Sequence, residues 1–327
     1  MTDHDKPASD ATDRFGKAWI AAGTAAAALG GAALFNHWQA GRAEAEQPPT
    51  GDFVEVDGLR LHYTDRGEGT PVVLIHGNGV TLNDWTASGV AELASKRHRV
   101  IAFDRPGFGH SNRPRTTVWT PAAQAAAIMA ALAKLGVERP VLVAHSWGTL
   151  VALAAALDNP AEIAGLVLLS GYYFKTARPD VPAFAVPAIP VLGDLIAHTT
   201  APLAGRLITP PAIKAAFSPA PTDPAFAEAQ LGLMLRPSQI RATAADTALM
   251  IPAAAAISAR YGELDLPVTI VAGEGDKIAH IDEHADKLAE AIAGARIVRL
   301  ADVGHMLHYL RPDAVADAIA QVASARA

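Results

Sequence analysis

From residue 52 onward, strand-like segments alternate with longer stretches of helical character. Residues 53–56 and 60–64 alternate apolar with polar positions and are joined by Asp57-Gly58, a hairpin signal. Residues 71–75 form a short apolar run, as expected of a buried parallel strand. Further strands are predicted at 99–103, 140–144, 165–169, 267–272 and 296–300. Ala-rich helical patterns occupy 121–135, 148–157, 281–292 and 313–323. This alternation predicts an α/β protein with a mostly parallel sheet covered on both faces. It stops between Phe174 and Leu266, where prolines separate apolar patches at 184–191, 231–235 and 248–257. So long an excursion is not one loop. It predicts a helical cap, residues 175–262, over the strand ends where ligands bind in such sheets. Residues 51–174 and 263–327 then form the core.

Residues 1–50 have a different pattern. A polar leader, 1–17, precedes a stretch from Ala18 to Phe35 without a charged residue, flanked by Trp19 and Trp38. Its length is near the lower limit for crossing a bilayer, and the two rings would suit its interfaces. Residues 41–50 read as a polar linker. Three readings are open: a single-pass membrane helix at 18–36, a signal peptide cleaved near Ala45 to release a secreted enzyme, and an Ala-rich helix packed on the domain. For the first, Lys6, Arg14 and Lys17 before the stretch outnumber Arg42 close after it. That bias puts the catalytic domain on the non-cytoplasmic side.

Composition narrows the classes. Half of the residues are hydrophobic and 18% are charged, which suits a large packed core rather than disorder. The net charge is −6 with no run of Lys and Arg, so a nucleic-acid partner is not expected. With no cysteine, disulfides, Cys-based zinc sites and a thiol nucleophile are excluded. Nothing in the pattern signals an oligomeric state.

The most informative segment is Val141-Leu142-Val143-Ala144-His145-Ser146-Trp147-Gly148, an apolar strand running through a serine into an Ala-rich helix. Small residues two before and two after the serine permit a tight turn that exposes its hydroxyl, and the helix N-terminus favours developing negative charge. His76-Gly77-Asn78-Gly79 follows the 71–75 strand, which nominates the Asn78 and Trp147 backbone amides as an oxyanion hole. A serine nucleophile needs a base, and that base an orienting acid. Asp276, in Gly273-Glu274-Gly275-Asp276, and His305, in Val303-Gly304-His305, fit in order and placement. Glu274 and His308 are their rivals. Asp104-Arg105-Pro106-Gly107-Phe108-Gly109 reads as a tight loop held beside the site by Asp104 and Arg105. His280, Asp282, His284 and Asp286 read as a solvated helix start, without metal-ligand spacing.

Together these segments resemble the α/β-hydrolase superfamily over residues 52–325. The resemblance implies an eight-stranded, mostly parallel sheet flanked by helices, a helical cap after the sixth strand, and no cofactor. Trp85 after His76-Gly77-Asn78 is similar to the haloalkane dehalogenase and epoxide hydrolase branch, whose nucleophile is an aspartate where Ser146 stands. Ser146-Trp147-Gly148-Thr149 is similar to proline iminopeptidases, whose His-Gly-Gly-Pro loop is absent. The expected activity is hydrolysis of small to medium hydrophobic carboxylic esters. An aminopeptidase-like amidase, a carbon–carbon bond hydrolase and a non-catalytic ligand-binding member are the alternatives.

Overall fold

The structure, a computed structural model, describes residues 8–325, with side chains from residue 14 onward. The first part of the expected polar leader, residues 1–7, lies outside the described residues. In chain order the elements are α1 (Ala8–Glu46), β1 (Asp52–Val56), β2 (Leu59–Arg66), β3 (Pro71–Ile75), α2 (Asn83–Ala87), α3 (Val90–Ser95) and β4 (Arg99–Phe103). There follow α4 (Pro121–Lys134), β5 (Val141–His145), α5 (Gly148–Asp158) and β6 (Gly165–Leu169). The excursion holds α6 (Val181–Ala185), α7 (Leu192–His198), α8 (Ala201–Phe217), α9 (Pro224–Met234) and α10 (Pro237–Ser258). The chain ends with β7 (Val268–Gly273), α11 (Ala285–Ala291), β8 (Arg296–Leu300), α12 (Leu307–Leu310) and α13 (Pro312–Ser324).

The eight strands form one sheet in the order β1-β2-β4-β3-β5-β6-β7-β8. Only the pairings of β2, with β1 and with β4, are antiparallel. Asp57 and Gly58, at φ of 47° and 79°, make the two-residue hairpin turn in which both central residues are left-handed. From β3 to β8 every pairing is parallel. Side chains alternate between the sheet's faces. Val73 and Ile75 join a core beneath α4 and α5, while Val72 and Leu74 join one beneath α3 and α13. The edge strand β8 is less apolar, with exposed Arg296 and Arg299, as suits an edge that must not pair further. The order in which strands are added reverses at β3, which lies between β4 and β5. The carboxyl ends of β3 and β5 therefore flank a topological switch point, the usual place for a ligand crevice.

The N-terminal segment departs from expectation. α1 does not stop before a linker: it runs through Gly41 to Glu46. Ala43, Glu44, Ala45 and Glu46 are good helix formers, and Arg42 pairs with Glu46 one turn on at 2.6 Å. This end of the helix is also docked on the cap. The Asn36 amide donates to the His198 and Thr199 carbonyls at 3.0 and 2.7 Å. Arg236 holds Glu44 at 2.7 Å, Ala43 is buried, and a methyl added to Gly232 would touch it. The stretch from Arg14 is long and apolar enough to cross a membrane, and its most apolar window has none of its residues buried in the rest of the protein.

Candidate active site

Ser146 sits on the turn between β5 and α5, with φ of +52°. A non-glycine residue rarely adopts that conformation, and it persists only where the surroundings hold it. Two glycines make the turn possible. A β-carbon on Gly148 would stand 2.5 Å from the His76 carbonyl oxygen, so α5 can approach the end of β3 only without one. A β-carbon on Gly77 would stand 3.2 Å from that of Ser146.

The structure brings Ser146, His305 and Asp276 together. His305 lies on the loop between β8 and α12, and Asp276 on the turn after β7. His305 Nδ1 donates to Asp276 Oδ2 at 2.8 Å, which leaves Nε2 to accept from the Ser146 hydroxyl at 2.9 Å. The other Asp276 oxygen accepts from the Ile278 and Ala279 amides at 2.8 and 3.0 Å. Burial alone would raise the Asp276 pKa, but the charge and hydrogen bond of His305, helped by these two amides, hold it below the ordinary value. Asp276 therefore stays ionised beside the imidazole. Of the rivals, Glu274 is exposed. His308 is buried on α12 and gives Nε2–H to Asp84 Oδ2 at 2.9 Å.

His145 lies between the two histidines, its ring centroid 4.9 Å from that of His305 and 4.4 Å from that of His308. Its Nε2 donates to the His305 carbonyl at 3.0 Å. Asp84, His145 and His308 bring three ligand-type atoms within 4.8 Å of one another. Asp84 accepts from His308 and from the Tyr309 hydroxyl at 3.0 Å, whereas Nδ1 of His145 and Nδ1 of His308 are buried without a hydrogen-bond partner.

The loop carrying Asn78 is fixed by Arg105, which is fully buried. Its guanidinium donates to the His76 carbonyl at 2.9 Å and the Gly77 carbonyl at 2.8 Å. His76 Nδ1 also donates to the Gly77 carbonyl, and its Nε2 accepts from the Arg105 amide, which sets the tautomer. In a trans peptide the N–H points opposite to the C=O. The Asn78 amide is therefore turned away from Arg105. The Asn78 side chain donates to the Thr243 carbonyl and the Thr247 hydroxyl on α10 at 3.2 and 3.0 Å. Asp104 accepts from His62, the Leu82 amide and the His110 amide, tying three segments together.

Asp246 was not singled out in the sequence. This buried carboxylate on α10 accepts from Arg105 at 2.6 Å, Arg113 at 3.0 Å and Gln124 at 3.2 Å. Its carbonyl also accepts from the Trp147 indole at 2.9 Å. The available signal was a lone acid in an otherwise neutral, Ala-rich part of a helix, because a buried carboxylate requires partners. His284, expected in a solvated helix start, is instead buried, and its Nδ1 accepts from the Tyr173 and Phe174 amides at 3.2 and 3.3 Å. An imidazole suits that place because two amides after β6 need an acceptor.

The buried histidines imply a pH dependence of stability. Burial, reinforced by the nearby Arg105 charge, lowers His76 to about 3. Burial also lowers His284 to about 4 and pushes His145 well below its ordinary value. In the unfolded chain each takes up a proton as pH falls through about 6.5. The unfolded state then binds more protons than the folded one. Stability from these groups is thus complete above about 6.5 and is lost progressively as pH falls toward the folded values. Urea unfolding should give a lower midpoint at pH 5 than at pH 7.5. His284→Gln should reduce the slope of stability against pH by up to about one proton equivalent. A flat profile over that interval would rule the account out.

A family model described as alpha/beta hydrolase fold matches residues 70–312. The chain belongs to the alpha/beta hydrolase fold family. Among its relatives, the 2-hydroxymuconate semialdehyde hydrolase of Pseudomonas putida is 33% identical over 127 residues, 39% of this chain and 45% of that protein. The chain thus spans less than half of that relative's length. A haloalkane dehalogenase of Mycobacterium marinum is 28% identical over 233 residues, 67% of this chain and 74% of its own. Among solved structures, an alpha/beta hydrolase fold protein from Burkholderia ambifaria superposes with a TM-score of 0.71 at 24% identity, covering 83% of this chain and 97% of that one.

Proposed function

We propose that this hydrolase cleaves carboxylic esters of small to medium hydrophobic substrates through an acyl-enzyme on Ser146. The observation that carries this is the continuous relay from Asp276 through His305 to the hydroxyl of a serine on a strained turn. Ser146 Oγ attacks the acyl carbon while His305 Nε2 takes its proton. The backbone amides of Asn78 and Trp147 donate to the resulting oxyanion. The tetrahedral adduct collapses, and His305 returns the proton to the departing alkoxide. Water then gives a proton to His305 and attacks the acyl-enzyme, which releases the acid and restores Ser146.

The site chemistry argues against carrying over dehalogenation. A serine alkylated by a haloalkane is a stable ether, with no carbonyl for water to attack. Carbon–carbon bond hydrolysis is the second reading, because the compound that names the P. putida relative, 2-hydroxymuconate semialdehyde, contains no ester. The same relay would then protonate a carbanion leaving group. Labelling by a fluorophosphonate and a panel of p-nitrophenyl esters beside prolyl and alanyl naphthylamides tests the proposal. The cap, apolar in composition, should favour medium-chain esters over charged aminoacyl amides. Equal or better turnover of the amides, or failure to label, would reject the ester reading.

We also propose that α1 anchors the enzyme in a membrane, with the catalytic domain on the non-cytoplasmic side. The support is an apolar helix of sufficient length that the protein itself does not cover, preceded by Arg14 and Lys17.

A further inference from the structure

We propose that the outer face of α6, α7 and α8 is a lipid-contacting surface that lies on the same bilayer as α1. This rests on the reading of α1 as a membrane anchor and adds a second site of contact to it. Large hydrophobic side chains are normally scattered singly over a surface. Here they are concentrated. Among the described residues, those left exposed fall on α1 or between residues 184 and 208, with Phe53 and Val118 the two exceptions. Phe184, Val191, Leu195, Leu203, Leu207 and Ile208 belong to the second group, and Val191 and Leu207 are 82% and 80% exposed.

The pattern is deliberate at the level of the helix. On α8, Pro202, Ile213 and Phe217 face inward and are buried. Leu203 and Leu207, one turn apart, face outward beside Ile208. A helix that meets water on that side would carry polar residues there. Charge is also sparse: between residues 181 and 213 the acidic and basic side chains are Asp194, His198 and Arg206. Asp194 is bound by Arg115 and Arg241 at 2.8 and 2.5 Å.

Position supplies the occupant. α1 is clamped beside this surface, since Asn36 bonds the last carbonyls of α7 and its neighbour, and Arg206 of α8 stands 5.0 Å over the Phe35 ring. Leu34 and Phe35, at the end of the apolar stretch, are themselves exposed. The apolar stretch of α1 thus ends where the apolar face of the cap begins. A bilayer that holds the one reaches the other, with burial of the face at the headgroup–acyl boundary. Ester substrates dissolved in that bilayer would meet the cap without crossing water.

The absence of cysteine makes the test direct. Leu207→Cys, Thr24→Cys and Glu68→Cys are prepared in the full chain, each labelled with an environment-sensitive dye and reconstituted in phosphatidylcholine vesicles containing brominated lipid. Retained hydrolysis of a soluble ester verifies the fold of each. The expected result is quenching of roughly half or more of the emission at positions 24 and 207, as for groups at or below the headgroup–acyl boundary, and none at 68. Quenching at 24 with a wet, unquenched 207 overturns the lipid face and leaves the anchor standing. Quenching at 207 without 24 overturns the anchor and, with it, the shared bilayer proposed here. A dry emission at 207 that bromine does not quench means that protein covers the face, a second copy or another partner, and overturns the proposal.

Discussion

Ser146→Ala is expected to lower kcat/KM on p-nitrophenyl esters by at least about a thousandfold, because on the acyl-enzyme proposal nothing replaces the nucleophile. His305→Ala should do the same, since a neutral hydroxyl without its base is a poor nucleophile. The two residues act as a unit through a single hydrogen bond of 2.9 Å. The double variant should therefore be scarcely worse than either single one. Asp276→Asn should also be severe, because an amide opposite Nδ1 no longer selects the tautomer that leaves Nε2 free. Thermal unfolding should change little for Ser146→Ala, whose hydroxyl has His305 as its side-chain partner. Retention of more than about a tenth of the wild-type kcat/KM by Ser146→Ala would be incompatible with a covalent role.

The second large effect is expected away from the reacting atoms. Asp246→Ala leaves Arg105 fully buried with its partner charge removed. Loss of one member of a buried ion pair costs about 3–5 kcal/mol. The same substitution takes one partner from Arg113 and one from Gln124, so the cap and the loop after β4 lose a common fixture. Activity should fall with stability, because Arg105 orients the peptide that carries the Asn78 amide. Arg105→Lys sharpens the distinction. It preserves a charge for Asp246 but cannot serve both loop carbonyls and the carboxylate with one planar fork. It should reduce kcat more than it raises KM, as expected when oxyanion donors are misplaced rather than substrate binding lost. Denaturant unfolding and steady-state kinetics measure both effects. A loss below about 1 kcal/mol in Asp246→Ala would show that the pair is not structural.

How far the sequence disclosed the molecule varies with the range of the interaction. Strands β3, β5 and β6 were legible because each is an apolar run at the core, and the hairpin because Asp57-Gly58 suits its turn. Ser146, His305 and Asp276 could be nominated because each follows a strand whose end the topology brings to one edge. Asp246 could not, since its partners Arg105, Arg113 and Gln124 are contributed by distant core segments. The solvated reading of His284 failed for a related reason. Its neighbours in sequence are polar, but its bonding partners are amides of residues 173 and 174. The first part of the expected linker, residues 41–46, was misjudged because polar residues on a helix end also serve as docking groups, as Glu44 does for Arg236.

A flexible tether would erase any relation between the rotation of a leading helix and the direction in which its domain faces. α1 preserves that relation, because it enters the cap unbroken and is gripped at Asn36, Ala43 and Glu44. Each residue inserted ahead of the grip turns the helix by about 100° and lifts it by about 1.5 Å. Two inserted residues would swing the hydrolase through more than half a circle about the helix axis relative to Trp19. The azimuth of the active site is thus encoded as a count of residues between Trp19 and Asn36, in the manner of a keyed shaft.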